Sequence, residues 1–199
     1  MREQELNRGP RGHRGPSGPG IGVKWDDLRF AFHGRNLDKT SGHLDYDVAE
    51  LGVNFDDSSR YNDADQIGII AQMPHNYKFG TNLKPHAHWI QNQDEVPNAL
   101  LKYRIYDNGE VPGSWILAAP TGIAFEYEQN ALQIIIFPEI DMSTVTGVSS
   151  FIDIKMYRDA SNASGLFSGS DDYSGNVLMK EFDFHYQIDS LGSRQEYIK

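Results

Sequence analysis

Residues 182–189 read Phe-Asp-Phe-His-Tyr-Gln-Ile-Asp (FDFHYQID), with an aromatic or aliphatic side chain at every second position. Successive side chains of a strand point to opposite faces of a sheet, so this pattern sets one apolar row against one polar row. The stretch therefore predicts a β-strand with one face buried in a core. It is the clearest fold signal in the chain.

Similar short segments precede this strand, at residues 66–72, 86–91, 101–105, 123–127, 132–137 and 151–158. Turn residues separate them, notably Asn108-Gly109 and the polar segment 128–130. No part of the body shows a convincing helical period over three turns. Seven or eight short strands with polar loops between them predict an all-β protein, an antiparallel jelly-roll-type β-sandwich. We expect loops over residues 34–47 and 159–176.

The first 24 residues have a different composition from the body. Glycine recurs with a period of three at Gly9, Gly12, Gly15 and Gly18, in a collagen-like pattern rich in proline and arginine. Such a segment buries little surface and favours extended polyproline II. Four triplets are too few for an isolated triple helix, although a trimeric body would hold the segments of three chains in register. We expect an extended Gly/Pro/Arg arm over residues 1–24 and a sandwich body over residues 25–199.

Charge is distributed unevenly between the arm and the body. The chain carries a formal net charge of −10, yet residues 1–24 hold five Lys or Arg against two Glu. An acidic body repels nucleic acid, whereas a basic arm is attracted to acidic surfaces. No apolar run approaches the ~20 residues of a membrane span, and no signal peptide is visible. We therefore expect neither a nucleic-acid nor a membrane partner.

Two histidines form the most suggestive chemical motif. Gly80, five further residues and His86-Ala87-His88 resemble the opening of the first cupin motif. Histidines two apart on a strand share a face and are able to bind one metal ion together. That pattern next expects a glutamate, but Asn92 and Gln93 occupy the region.

His185, on another strand, is a candidate third ligand for such a site. The simpler interpretation is that His86 and His88 share a strand face with Ile90 and pack or hydrogen-bond near Trp89. We adopt that interpretation and predict no metal and no cofactor, with His86 and His88 as weak metal candidates.

Other catalytic signatures are poorly supported. The sequence has no cysteine and no Gly-x-Ser-x-Gly motif after a strand. Its paired carboxylates, Asp56-Asp57 and Asp171-Asp172, fall in polar segments where solvated acids are usual. These observations favour a protein that is not an enzyme.

The C-terminal string EFDFHYQIDSLGSRQEYIK (residues 181–199) resembles sequences of tailed-phage virion proteins. Further shared features are PHAHW (85–89), WDDLRF (25–30) and NLDKTSGHLDYD (36–47). The resemblance covers residues 25–199 and leaves out the collagen-like triplets. It implies a structural component of a phage particle and brings no catalytic residues.

This resemblance gives the arm a role. We expect a trimeric capsid decoration (cement) protein on the outer surface of the virion, assembled in the host cytoplasm. Its partners would be the major capsid protein and two further copies of itself. The expected capsid-binding residues of the arm are Arg8, Pro10, Arg11, Arg14 and Pro16.

We expect Trp25 and Phe30 to anchor the arm to the body. Two other functions remain open at this point. One is a tail spike or fibre module that recognises host surface carbohydrate, with the triplets as a trimeric stalk. The other is a cupin-like metal-dependent enzyme that uses His86 and His88.

Overall fold

A computed structural model describes residues 23–31, 44–47, 49–59, 61, 66–123, 128–147, 149–171 and 173–189. These residues form eleven strands and no helix. In chain order the strands are β1 (Lys24–Ala31), β2 (Leu44–Asp47), β3 (Gly52–Phe55), β4 (Ile67–Gln72), β5 (Lys84–Ile90), β6 (Ala99–Tyr106), β7 (Ile116–Ala118), β8 (Gly122–Ile123), β9 (Leu132–Ile136), β10 (Phe151–Arg158) and β11 (Val177–Ile188). A helix able to span a membrane is absent from this described part.

The strands form two antiparallel sheets that pack as a β-sandwich. The larger sheet has seven strands in the order β2-β3-β11-β5-β9-β8, with β1 also paired to β11, and the smaller has the order β4-β10-β6-β7. Leaving out β1, β2 and β8, the spatial orders are β3-β11-β5-β9 and β4-β10-β6-β7. This is the strand order of a jelly roll, as the sequence predicts.

Strand β11 occupies the centre of the larger sheet. One of its edges pairs with β5, and the other pairs first with β3, at residues 177–179, and then with β1, at residues 181–188. The predicted alternation holds along it, because Phe182, Phe184 and Tyr186 are buried in the core between the sheets. Strand β11 is also longer than the sequence indicates and begins at Val177, directly after the predicted loop 159–176.

The predicted loop over residues 34–47 is wrong at its end. Residues 44–47 form β2, which pairs with β3, and Leu44 is buried in the core. Each of these strands has four residues, too few for a two-residue period to stand out among acidic and turn-forming neighbours. Residues 34–43 lie outside the described part of the chain, as do residues 124–127 of the strand predicted at 123–127.

Arg158, the last residue of β10, links the two sheets and the loop that follows. Its guanidinium donates two hydrogen bonds to the carboxylate of Asp171, each 3.1 Å long. Further hydrogen bonds go to the backbone carbonyls of Phe55 on β3 and of Tyr173 and Gly175 in the loop. Both side chains of the ion pair are only 2% exposed. Both charged groups are thus buried and hydrogen-bonded, as a stable buried ion pair requires.

We expect Arg158→Met to lower the free energy of unfolding by about 3–5 kcal/mol, because Asp171 would remain buried without its cation. Chemical denaturation followed by tryptophan fluorescence measures the change. The matched control is Glu139→Gln, which breaks the half-exposed Lys84–Glu139 pair and should cost less than about 1 kcal/mol. Equal effects of the two substitutions would contradict the structural role given to Arg158.

Candidate functional site

Among the described residues, the strongest concentration of chemically versatile side chains lies on the face of the larger sheet that points away from the core. On β5 the inward residues are Ala87 and Trp89, so His86 and His88 point outward. On β11 the outward residues are Glu181, Asp183 and His185. We call these five outward residues the outer-face cluster.

The register of β5 on β11 brings the outer-face cluster together. His86 lies directly opposite Asp183, and His88 lies opposite Glu181. Nε2 of His86 contacts Oδ1 of Asp183, while Nε2 of His88 is 3.5 Å from Oδ2 of the same carboxylate. The ring of His86 is 4.6 Å from that of His185 and 5.0 Å from that of His88. Asp183 is thus the common neighbour of the imidazoles of β5.

The centre of this cluster is buried although it faces outward, whereas His185 at its edge is half-exposed. His86 is 8% exposed and Asp183 is 2% exposed. Three of its atoms are inaccessible and have no hydrogen bond of ordinary geometry: both ring nitrogens of His88 and Oδ1 of Asp183. Buried polar atoms are almost always satisfied in folded proteins, so these atoms need an explanation.

The imidazoles strongly affect the ionisation of Asp183. Burial by itself raises the pKa of this carboxyl group, but the contacts with His86 and His88 outweigh that effect and lower the pKa to about 2. Asp183 is therefore an anion at neutral pH. Two outward side chains of β1 lie next to the cluster. Asp27 is 3.2 Å from His185, and Arg29 donates a 3.0 Å hydrogen bond to Asp27.

The sequence motif and the structure agree in part. His86, His88 and Ile90 share a strand face, but that face is opposite to Trp89, which is buried inside the sandwich. His185 lies beside the two histidines. Their acidic neighbours come from β11, whereas a cupin motif takes its glutamate from the same stretch of chain as its histidines. Sequence reasoning missed Glu181 and Asp183. Both lie in the polar row of the alternating pattern that predicts β11, so the sequence does indicate that they share a strand face with His185.

Trp25 and Phe30 both lie on β1, the first strand after the arm, and point to opposite faces. Phe30 packs edge-on against Phe184 of β11, with ring centroids 6.4 Å apart. Trp25 is 42% exposed, and Nζ of Lys84 lies 4.7 Å from the centre of its ring. The arm residues Arg8, Pro10, Arg11, Arg14 and Pro16 lie outside the described residues.

A shallow depression lies where β1 begins. It measures about 310 Å³ and is lined by Trp25, Lys84, Gln187, Glu139 and the segment 80–82. The start of β1 and the end of β11 meet beside it, since Lys24 pairs with Ile188. Val23 and Asp189, the first and last described residues, therefore lie at the same corner of the sandwich.

A hydrogen bond from Tyr186 holds the first residues of β1 at this corner. The Tyr186 hydroxyl donates a 3.1 Å hydrogen bond to Asp26 of β1 and comes within 3.4 Å of Asn76. Burial, followed by the hydrogen bond and negative charge of Asp26, raises the pKa of Tyr186 to about 12. The hydroxyl thus remains a donor throughout the physiological range.

No protein-family model and no curated protein matches this chain. Among solved structures, TmCBM61 in complex with β-1,4-galactotriose is similar at 8% sequence identity and a TM-score of 0.29, covering 82% of this chain and 88% of that one. Similarity this low carries no inference about what this chain binds.

We expect Tyr186→Phe to loosen β1 without unfolding the sandwich. Loss of one hydrogen bond to a carboxylate costs about 1 kcal/mol, which corresponds to roughly fivefold faster amide hydrogen exchange over residues 24–31. Exchange followed by mass spectrometry measures this. Tyr157→Phe, which removes a hydroxyl bound to Gln66, is the control and should leave exchange in β1 unchanged. Unaltered amide exchange over residues 24–31 in Tyr186→Phe would show that this hydroxyl does not hold β1 in place.

Proposed function

We propose that this chain is a structural protein of a tailed-phage virion, a capsid decoration protein whose N-terminal arm binds the major capsid protein. The resemblance of residues 25–199 to tailed-phage virion proteins supports this class of protein. The jelly-roll body is suited to the role because it is compact and presents two broad sheet faces. No catalytic step is part of the proposal.

The observation that carries the proposal is the way the arm joins the body. All eight residues of β1 pair with the central strand β11, from Lys24 opposite Ile188 to Ala31 opposite Glu181. A pull on the arm along the axis of β1 loads these backbone hydrogen bonds together in shear. Inward contacts of Leu28 and Phe30 with the core reinforce the attachment. The strand that follows the arm is therefore held along its whole length by the central strand of the larger sheet.

The charge of the arm fits an acidic, repeated partner surface. Ordering an extended segment costs roughly 1–2 kcal/mol per residue in backbone entropy. Charge-assisted contacts of Arg8, Arg11 and Arg14 offset part of this cost. The proline residues Pro10 and Pro16 reduce it, because proline restricts the unbound chain as well.

An apolar row on the body supports self-association into the proposed trimer. Leu132, Ile134 and Ile136 point outward from β9, and the first and last of them are 49% and 39% exposed. Contiguous exposed apolar side chains are typical of interaction surfaces. Three linked arms would bind a capsid with much greater avidity than one arm.

One observation favours a second candidate, a tail module that binds carbohydrate. The depression beside Trp25 combines an indole ring with the amide and carboxyl side chains of Asn82, Glu139 and Gln187. An apolar ring with a few converging polar groups is a common arrangement for small-ligand recognition. In this case the arm would attach the module to the tail.

Deleting residues 1–22 should strongly weaken binding to the capsid of the phage that encodes this chain. We expect occupancy on purified, undecorated particles to fall by roughly tenfold or more, because avidity is lost with the arms. Sedimentation with particles and gel densitometry measure it. A full-length variant with Arg8, Arg11 and Arg14 changed to Gln separates the contribution of charge from that of the backbone. Unchanged occupancy of the deletion variant, with the body folded by circular dichroism, would remove the arm from the mechanism.

Copy number separates the two candidate functions. A decoration protein repeats with the capsid lattice and should be present at on the order of hundreds of copies per particle, whereas a tail module follows the symmetry of the tail and gives about a dozen. Quantitative mass spectrometry of purified virions, scaled to the major capsid protein, gives the number. A count near a dozen would reject the decoration role in favour of the tail module.

A further inference from the structure

We propose that the outer-face cluster binds one divalent transition-metal ion, with His86, Asp183 and His185 as its protein ligands. One ligand atom from each of these residues lies within 4.8 Å of the others. Ligand atoms around a zinc-sized ion at about 2.0–2.2 Å stand roughly 3–4 Å apart, so small side-chain rotations suffice to close the site. Two imidazoles and one carboxylate form a donor set that suits zinc and its first-row neighbours.

The buried atoms of the cluster that lack an ordinary hydrogen bond are suited to a cation. Oδ1 of Asp183 touches Nε2 of His86 without a hydrogen bond of ordinary geometry, although this oxygen is buried. The nearest permanent cation on β1, Arg29, lies opposite Asp183 in the register but bonds to Asp27. A metal ion between the carboxylate oxygen and the imidazole nitrogens would satisfy these atoms and balance the buried charge.

His88 and Glu181 have a different part in this site. Oδ2, the second oxygen of Asp183, faces Nε2 of His88 at 3.5 Å, and Oε1 of Glu181 lies 3.7 Å from the same nitrogen. With Oδ1 on the ion, His88 is placed to donate its N–H to Oδ2 and so to orient the ligand. Metal-bound carboxylates are commonly held by such outer hydrogen bonds. His88 and Glu181 are positioning residues of the site.

Binding would have a structural consequence. His86 belongs to β5, and Asp183 and His185 belong to β11, so the ion would cross-link two central strands of the larger sheet. It would also lie next to Asp27 of β1, the strand that carries the arm. The metal-bound form should therefore be more stable to heat, since a ligand that binds only the native state stabilises it by mass action.

The test uses the full chain without a histidine tag, stripped of metal with a chelator and titrated with zinc chloride. We expect one zinc ion per chain by calorimetry and elemental analysis, and a higher unfolding temperature with zinc than without. Magnesium at the same concentration should not bind, because it prefers sites made of oxygen alone. Cobalt should bind in place of zinc and show visible absorption bands of a nitrogen- and oxygen-ligated ion.

Substitutions locate the ion. His185→Ala removes a half-exposed side chain, so the fold should persist while zinc affinity falls by roughly tenfold or more. Asp183→Asn should abolish binding, and its unfolding temperature shows whether it folds. The control His75→Ala removes a histidine bound to Ser149 outside the cluster and should bind zinc normally. A variant with His13, His33 and His43 changed to Ala should also bind normally.

Absence of stoichiometric zinc in the wild-type chain would overturn the proposal. It would also be overturned if His185→Ala bound zinc as the wild type does, or if the variant lacking His13, His33 and His43 lost the binding. None of these results bears on the role of the arm in particle binding.

Discussion

The structure depends on the pairing of β11 with strands on both of its edges. This strand contributes alternate aromatic side chains to the core, and its backbone pairs with β5 on one side and with β3 and β1 on the other. A shift of one residue in its register would move Phe182 and Phe184 out of the core and put Asp183 into it. Register, core packing and the position of the outer-face cluster are thus fixed by a single constraint.

The two faces of β11 perform different tasks because of this constraint. The inner row contributes to the hydrophobic stabilisation of the sandwich, whereas the outer row gathers ionisable groups that the core would exclude. Asp183 in the middle of the outer row is nevertheless shielded, since the neighbouring strands β5 and β1 add their own outward side chains on each side. The contacts of this buried carboxyl group with the imidazoles of β5 lower its pKa.

The sequence predicts much of the fold and less of the site, for a physical reason. Strands such as β10 are visible because local alternation determines which residues are buried, and Phe151–Arg158 matches the predicted segment. The sequence does not predict β2 and β3, because their stability comes from pairing with each other and, for β3, with β11, which a pattern of four residues does not reveal. Histidines 86 and 88 are visible as a motif, but their neighbours Asp183 and His185 lie about a hundred residues later, and only the register of two strands brings them close.

The corner shared by Val23 and Asp189 has a practical consequence for anyone who wishes to attach a cargo to this protein. A fluorescent protein or affinity label joined directly to either of these residues would lie beside the other, near Trp25. The exposed turn at Asn108 and Gly109, where glycine adopts a positive φ of 87°, belongs to the other sheet and interrupts no strand. Insertions at that turn should leave this corner unobstructed.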